Sequence, residues 1–161
     1  VPAKQQNATP DPLQALLWCV ALPGFGQFLN KQYLKGFVLI VLEVIINMGS
    51  KLNLAIIASF HGDITKALGQ TNFQWLMFYP CVYMFGIWDA YRNAGGGDAP
   101  YSTLPFVFSA FFATVGVIYA PTLRIMGILL GPVWLPMLFC FIGIGFGAIL
   151  MRIGRIKRMT G

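Results

Sequence analysis

One acid stands in the middle of an apolar run. Residues 35–47 read KGFVLIVLEVIIN, with Glu43 as the acid. On a helix, Glu43 lies about 12 Å from Lys35. With Lys35 at the edge of hydrocarbon about 30 Å thick, Glu43 falls near the midplane. A carboxylate at that depth is costly, so it must be protonated, paired or facing a polar cavity. Asn47 is four residues on, on the same helix face, and can hydrogen-bond it. Two roles fit: an intramembrane proton or cation site, or a protonated acid bonded to a neighbouring helix. No second buried ionisable group accompanies it, which makes a thin transport pathway.

Other chemistry-bearing residues carry less. Ser59, His61 and Asp63 are the elements of a hydrolase triad, but residues two apart do not give that geometry by default. They read as the solvated face of a helix. No HExxH or GxSxG pattern is present, so the chain does not read as an enzyme. One histidine cannot build a histidine metal cluster, and Cys19, Cys81 and Cys140 sit in apolar stretches as small hydrophobes. Gly95, Gly96 and Gly97 lack the following lysine and the strand–helix context of a phosphate loop, and read as a linker. Neither a metal nor a cofactor is implied.

The elements that must hold these residues follow from composition. The chain has 161 residues, 57% hydrophobic and 10% charged, against about 25% charged in soluble domains. The implied class is an all-α integral membrane bundle, with the lipid bilayer as its first partner. Net charge is +6, and four of eleven basic residues, Arg152, Arg155, Lys157 and Arg158, follow the last apolar run. That is the pattern of a cytoplasmic anchor on anionic lipid. With neither a basic stripe nor a recognition motif, nucleic acid is excluded as a partner.

Residues 1–12 read as a polar tail without a signal peptide, carrying a chance-level sequon at Asn7 and Thr9. Residues 13–29 are apolar but broken at Pro23, Gly24 and Gly26, which predicts a kinked or re-entrant segment with a membrane-embedded turn. About four spans follow. The first runs over 36–50, extended back through Tyr33 or forward to Leu54. Residues 52–68 fit an interfacial amphipathic helix with Gly69 as its stop. The second span is 73–91, kinked at Pro80, with Asp89 at its mouth able to pair with Arg92. A Gly-rich cytoplasmic loop covers 92–103. Spans at 104–120 and 127–151 form a hairpin through a tight connection at 121–124, the last bent by Pro132 and Pro136. Residues 152–161 form the basic tail.

Gly143 and Gly147 stand in GxxxG spacing, as do Gly127 and Gly131. Ser109, Ala113, Gly116 and Ala120 line the preceding span with small residues. Such residues let helix backbones approach closely. They predict packing of the last two spans on each other or, alternatively, self-association through the last helix. With the C-terminus in the cytoplasm, Lys31, Lys35, Arg92 and the four tail residues fall inside. Lys51, Lys66 and Arg124 fall outside, an asymmetry that favours this orientation in the cell membrane.

Residues 23–36, PGFGQFLNKQYLKG, resemble the glycine, aromatic and G–K–x–x–x–G pattern that opens TM2-domain membrane proteins. Trp88 and Asp89 are similar to the acidic end of that domain's second helix. The resemblance covers roughly residues 13–91. It departs in the long 51–72 insert and in lacking an Asp-Arg-Phe turn, and the last two spans have no counterpart. It implies a small multipass protein and carries no common chemistry. The function expected is therefore a non-enzymatic scaffold or accessory subunit working through helix packing, with a second copy or another membrane protein as partner. The alternative is a small transporter or channel component using Glu43, and a membrane enzyme ranks last.

Overall fold

The computed structural model describes residues 10–160. The sequon and most of the polar tail lie outside the described residues. Helices dominate. They are α1 (Pro12–Ala21), α2 (Phe25–Leu29), α3 (Tyr33–Ser50), α4 (Leu52–Phe60), α5 (Ile64–Gln70), α6 (Phe73–Leu76), α7 (Tyr79–Tyr91), α8 (Leu104–Tyr119) and α9 (Gly131–Thr160). Among the described residues the sheet content is one minimal hairpin, β1 (Arg124–Ile125) antiparallel to β2 (Ile128–Leu129).

Among the described residues, two helices are long and apolar enough to cross a membrane: α3, with mean hydropathy 1.6, and α9, with 2.2. Only 28% of either apolar window is buried, unlike the core helix of a soluble protein. The outward faces carry large apolar side chains, among them Leu34, Phe37 and Met48 on α3 and Phe141 and Ile149 on α9. Much of the outward face of α3 is thus apolar, while its buried stripe runs Gly36, Leu39, Glu43, Ile46 and Ser50. Those positions recur every three or four residues, as one helix face requires.

The N-terminal segment is a helix–turn–helix that starts and finishes at the same end of the bundle. Asp11 caps α1 by accepting from Leu13 N at 3.3 Å, and Pro12 occupies the first turn, where its missing N–H does no harm. Ala15 and Cys19 pack with Ala94, Ala90 and Ile87, and the Tyr83 hydroxyl donates to Val20 O at 2.6 Å. From Ala94 to Tyr83 is about 16 Å along a helix, which is how far α1 penetrates. The chain then turns at Pro23 and Gly24. Gly24 has φ +105°, and a Cβ there would lie 2.6 Å from Gly36 O. Helix α2 returns over Gly26, where a Cβ would lie 2.4 Å from Ala15 O. The turn glycines therefore set how closely α1, α2 and α3 approach.

Four element boundaries differ from expectation. The 52–68 segment is two helices, because Gly62 (φ +79°) ends the first and Asp63 caps the second through Lys66 N at 3.0 Å. Helix α5 ends at Gln70, one residue past the expected stop at Gly69. Both helices pack on the start of α9, where Trp134 Nε1 donates to Ser59 O at 3.3 Å and the Trp134 and Phe60 rings sit 4.7 Å apart. Pro80 opens α7 rather than kinking a continuous helix, and Asn72 caps the preceding turn. Finally, Arg92–Gly96 winds on as a π-helical turn before the Gly-rich loop begins.

Helices α8 and α9 form the most extensive contact. Ser109, Ala113, Gly116 and Ala120 are all buried. A Cβ on Gly143 would lie 2.5 Å from Phe108 O, one on Gly147 2.5 Å from Leu104 O, and one on Gly116 2.7 Å from Pro136 Cα. The glycine face of α9 is thus occupied by α8 of the same chain, which leaves no room there for a second copy. Gly127 and Gly131 need correcting. With Met126 (φ 51°), Gly127 (φ +83°) forms the two-residue turn of the hairpin, as paired left-handed residues do. Gly131 starts α9 against Ile64. Neither lies in a helix–helix seam of the GxxxG kind.

The seam makes a direct prediction. Gly147→Ala forces backbone apart and should lower stability by about 1–3 kcal/mol. Gly145→Ala, with open space around it, should be neutral or raise stability by up to about 1 kcal/mol. Unfolding midpoints in mild detergent compare the two, and equal shifts would contradict the seam.

Candidate functional site

Among the described residues, two polar constellations stand out inside the bundle. The first joins the N-terminal hairpin to α7. Gln27, on the short α2, is fully buried. Its Nε2 donates to Gly86 O at 2.8 Å and to Asp89 Oδ2 at 3.2 Å, while its Oε1 accepts from Cys19 Sγ at 3.2 Å. Asp89 is 7% exposed, and its other oxygen pairs with Lys35 Nζ at 3.0 Å. Around it, Asn30 Nδ2 donates to Ala90 O at 2.8 Å, and Asn93 Nδ2 to Asp89 O at 2.7 Å. Asn93 also reaches Gln32 Oε1 at 3.3 Å. A buried carboxylate held by an amide and an ammonium is satisfied on both oxygens, as burial demands.

This overturns the expected partner of Asp89. The acid turns inward to Lys35, 54 residues away in sequence. Arg92 instead lays its guanidinium over the Trp88 ring, 5.1 Å from the centroid, where the ring's negative face attracts it.

The second constellation surrounds Glu43. It is 8% exposed, and its Oε2 has no hydrogen-bond partner among the described residues. Tyr79, from the first turn of α7, is the side chain that interacts most directly with its carboxyl. Asn47 does not serve it. Asn47 Nδ2 donates to Asn53 Oδ1 at 3.0 Å, and its Oδ1 accepts from Asn53 N at 3.2 Å. The reason is local. Lys51 opens α4 in a left-handed conformation without a side-chain cap, so an N–H of the first turn needs an acceptor, and Asn47 is within reach.

The remaining candidates are spread out. Ser59 Oγ is buried without a partner, His61 is exposed, and Asp63 serves as a cap, so no triad forms. Cys140 Sγ lies 2.9 Å from Ser109 Oγ in the α8–α9 seam, Cys81 is exposed, and all three cysteines are free thiols. Arg152, Arg155, Lys157 and Arg158 belong to α9, which runs on through the supposed tail. Arg155 Nε donates to Pro100 O at 3.2 Å and so ties the helix end to the Gly-rich loop.

Sequence reasoning missed Gln27, Lys35 and Tyr79 as site residues. The available signal was polarity in the wrong place: Gln27 stands between two phenylalanines in an apolar run, and an amide there needs partners. No known protein family, curated protein or solved structure matches this chain.

The knot predicts unequal effects. Gln27→Leu removes the donor from buried Asp89 and should destabilise by about 1–3 kcal/mol. Lys35→Gln removes a cation whose side chain is 55% exposed and should shift stability by about 1 kcal/mol or less. Thermal unfolding in detergent separates them, and a larger effect at Lys35 would refute the hierarchy.

Proposed function

We propose that this chain is a small multipass integral membrane protein that acts as a non-enzymatic scaffold or accessory subunit. The observation that carries the reading is the inversion of polarity: Gln27, Asp89, Ser109 and Glu43 are buried, while large apolar side chains cover the outside of α3 and α9. In water that arrangement would be unstable, and in hydrocarbon it is the expected one.

In this reading α3, the α6–α7 pair, α8 and α9 cross the bilayer. Helix α3 is about 27 Å long and α9 about 45 Å, against hydrocarbon of about 30 Å. Residues 12–31 re-enter from the side that carries Lys31, Lys35, Arg92 and the C-terminal cations. Lys51, Lys66 and Arg124 gather at the opposite end, so the positive-inside rule favours a cytoplasmic C-terminus at the cell membrane. The residues that resemble the TM2 domain are those that build the re-entrant hairpin and its knot with Asp89. A partner, whether another membrane protein or a second copy, would meet faces other than the α8–α9 seam.

The test is topological. In a variant with its three cysteines replaced by alanine, single cysteines are introduced at Met126 and Met159, both strongly exposed. A membrane-impermeant maleimide applied to intact cells should label Met126→Cys, and should label Met159→Cys only after permeabilisation. Release of the protein from membranes by alkaline carbonate would end the membrane reading.

A second reading rests on Glu43. Its unpartnered oxygen and the Tyr79 side chain beside it are what a proton or cation site would need. In liposomes, Glu43→Gln should abolish pH-dependent flux while leaving the helix content intact. Absence of flux with the unaltered protein removes this reading.

A further inference from the structure

Between α1, α4, α7, α8 and α9 lies a partly enclosed cavity of about 610 Å³. Its wall is almost wholly apolar. It runs along α8 from Phe106 to Val117 and along α9 from Pro132 to Ile144, a length of about 16–18 Å at 1.5 Å per residue.

Water does not suit this space. A buried water needs two to four polar partners. The polar side chains among its lining residues are those of Tyr79, Tyr83 and Cys140. Tyr83 donates to Val20 O at 2.6 Å, Cys140 Sγ lies 2.9 Å from Ser109 Oγ, and Tyr79 is the side chain beside Glu43. An empty void would forfeit dispersion contacts along its whole lining. Half of a bilayer's hydrocarbon is about 15 Å deep, the reach of one leaflet's chains. The cavity matches that length, and its volume lies within the range of ligand pockets.

We propose that the cavity holds one acyl chain of a bilayer phospholipid, as a built-in lipid site distinct from the lipid that surrounds the bundle. The proposal rests on the membrane reading above. The chain lies against the apolar side chains of Leu16, Met84, Ala113 and Val117. Its occupancy couples α1 to α8 and α9 across a space that their own side chains leave open.

The protein is reconstituted in nanodiscs of phosphatidylethanolamine and phosphatidylglycerol doped with a phospholipid bearing a diazirine midway along one acyl chain. After photolysis, adducts are mapped by peptide mass spectrometry. Adducts are expected at Met84, Cys140 and Val117 as well as at outward residues such as Phe37 and Ile149. Ala113→Phe, and independently Met84→Trp, should reduce the inner adducts to the unirradiated level and leave the outward ones unchanged. Labelling of outward residues alone in the unaltered protein overturns the proposal while leaving the membrane reading intact, and this arm needs no variant. Inner labelling by a free diazirine fatty acid but not by the phospholipid also overturns it. Extraction of the unaltered protein by carbonate defeats the membrane reading itself and is read separately.

Discussion

The bond between Gln27 and Asp89 fixes how the N-terminal half of this molecule is arranged. A short helix of five residues has little stability of its own, because nucleating a helix is unfavourable and a few bonds do not repay it. Helix α2 persists because its one buried amide reaches Gly86 and Asp89 on α7 at the same time. The amide also accepts from Cys19, so a single side chain joins α1, α2 and α7. Lys35 closes the arrangement from α3. In a low-dielectric interior these contacts are worth more than in water, and leaving any one of them unmade is correspondingly costly.

The C-terminal half is held differently. Helices α8 and α9 meet through absence of side chain rather than through polarity. Backbone of Phe108 and Leu104 sits where Gly143 and Gly147 have no Cβ, and Pro136 presses on Gly116. Dispersion at such short separation holds the seam, and in the proposed bilayer it would replace the hydrophobic effect, which cannot drive one apolar helix onto another in an apolar solvent. Helices α4 and α5, joined to the start of α9 through Trp134, then tie this half to α3.

The runs that carry their own signal were legible. Helix α8 lies within one residue of its apolar stretch, and α3 is the apolar run carried back to Tyr33. The break at Pro23 and Gly24 was readable because those residue types interrupt a helix. What was not legible depends on partners far away in sequence. Nothing near Asp89 reveals that Lys35 faces it, and nothing near Glu43 reveals Tyr79. Asn47 was misassigned because one helix face was considered without the helix that follows it. Gly127 looked like a packing residue because its neighbours are apolar, yet its conformation belongs to a turn. The continuation of α9 through its arginines was hidden by their charge, although arginine, lysine and methionine are good helix formers.

The length of α9 has a consequence for how the molecule sits. In the bilayer proposed above, its thirty residues would outrun hydrocarbon about 30 Å thick by about 15 Å. Because the same rigid rod carries both the glycine seam and the terminal guanidiniums, it cannot slip inward without drawing cations after it. Each such charge at the centre of a bilayer would cost about 3 kcal/mol. On the membrane reading proposed above, the rod would behave as a keel: it would fix the draught of the bundle, and with it the depth at which Glu43 is moored.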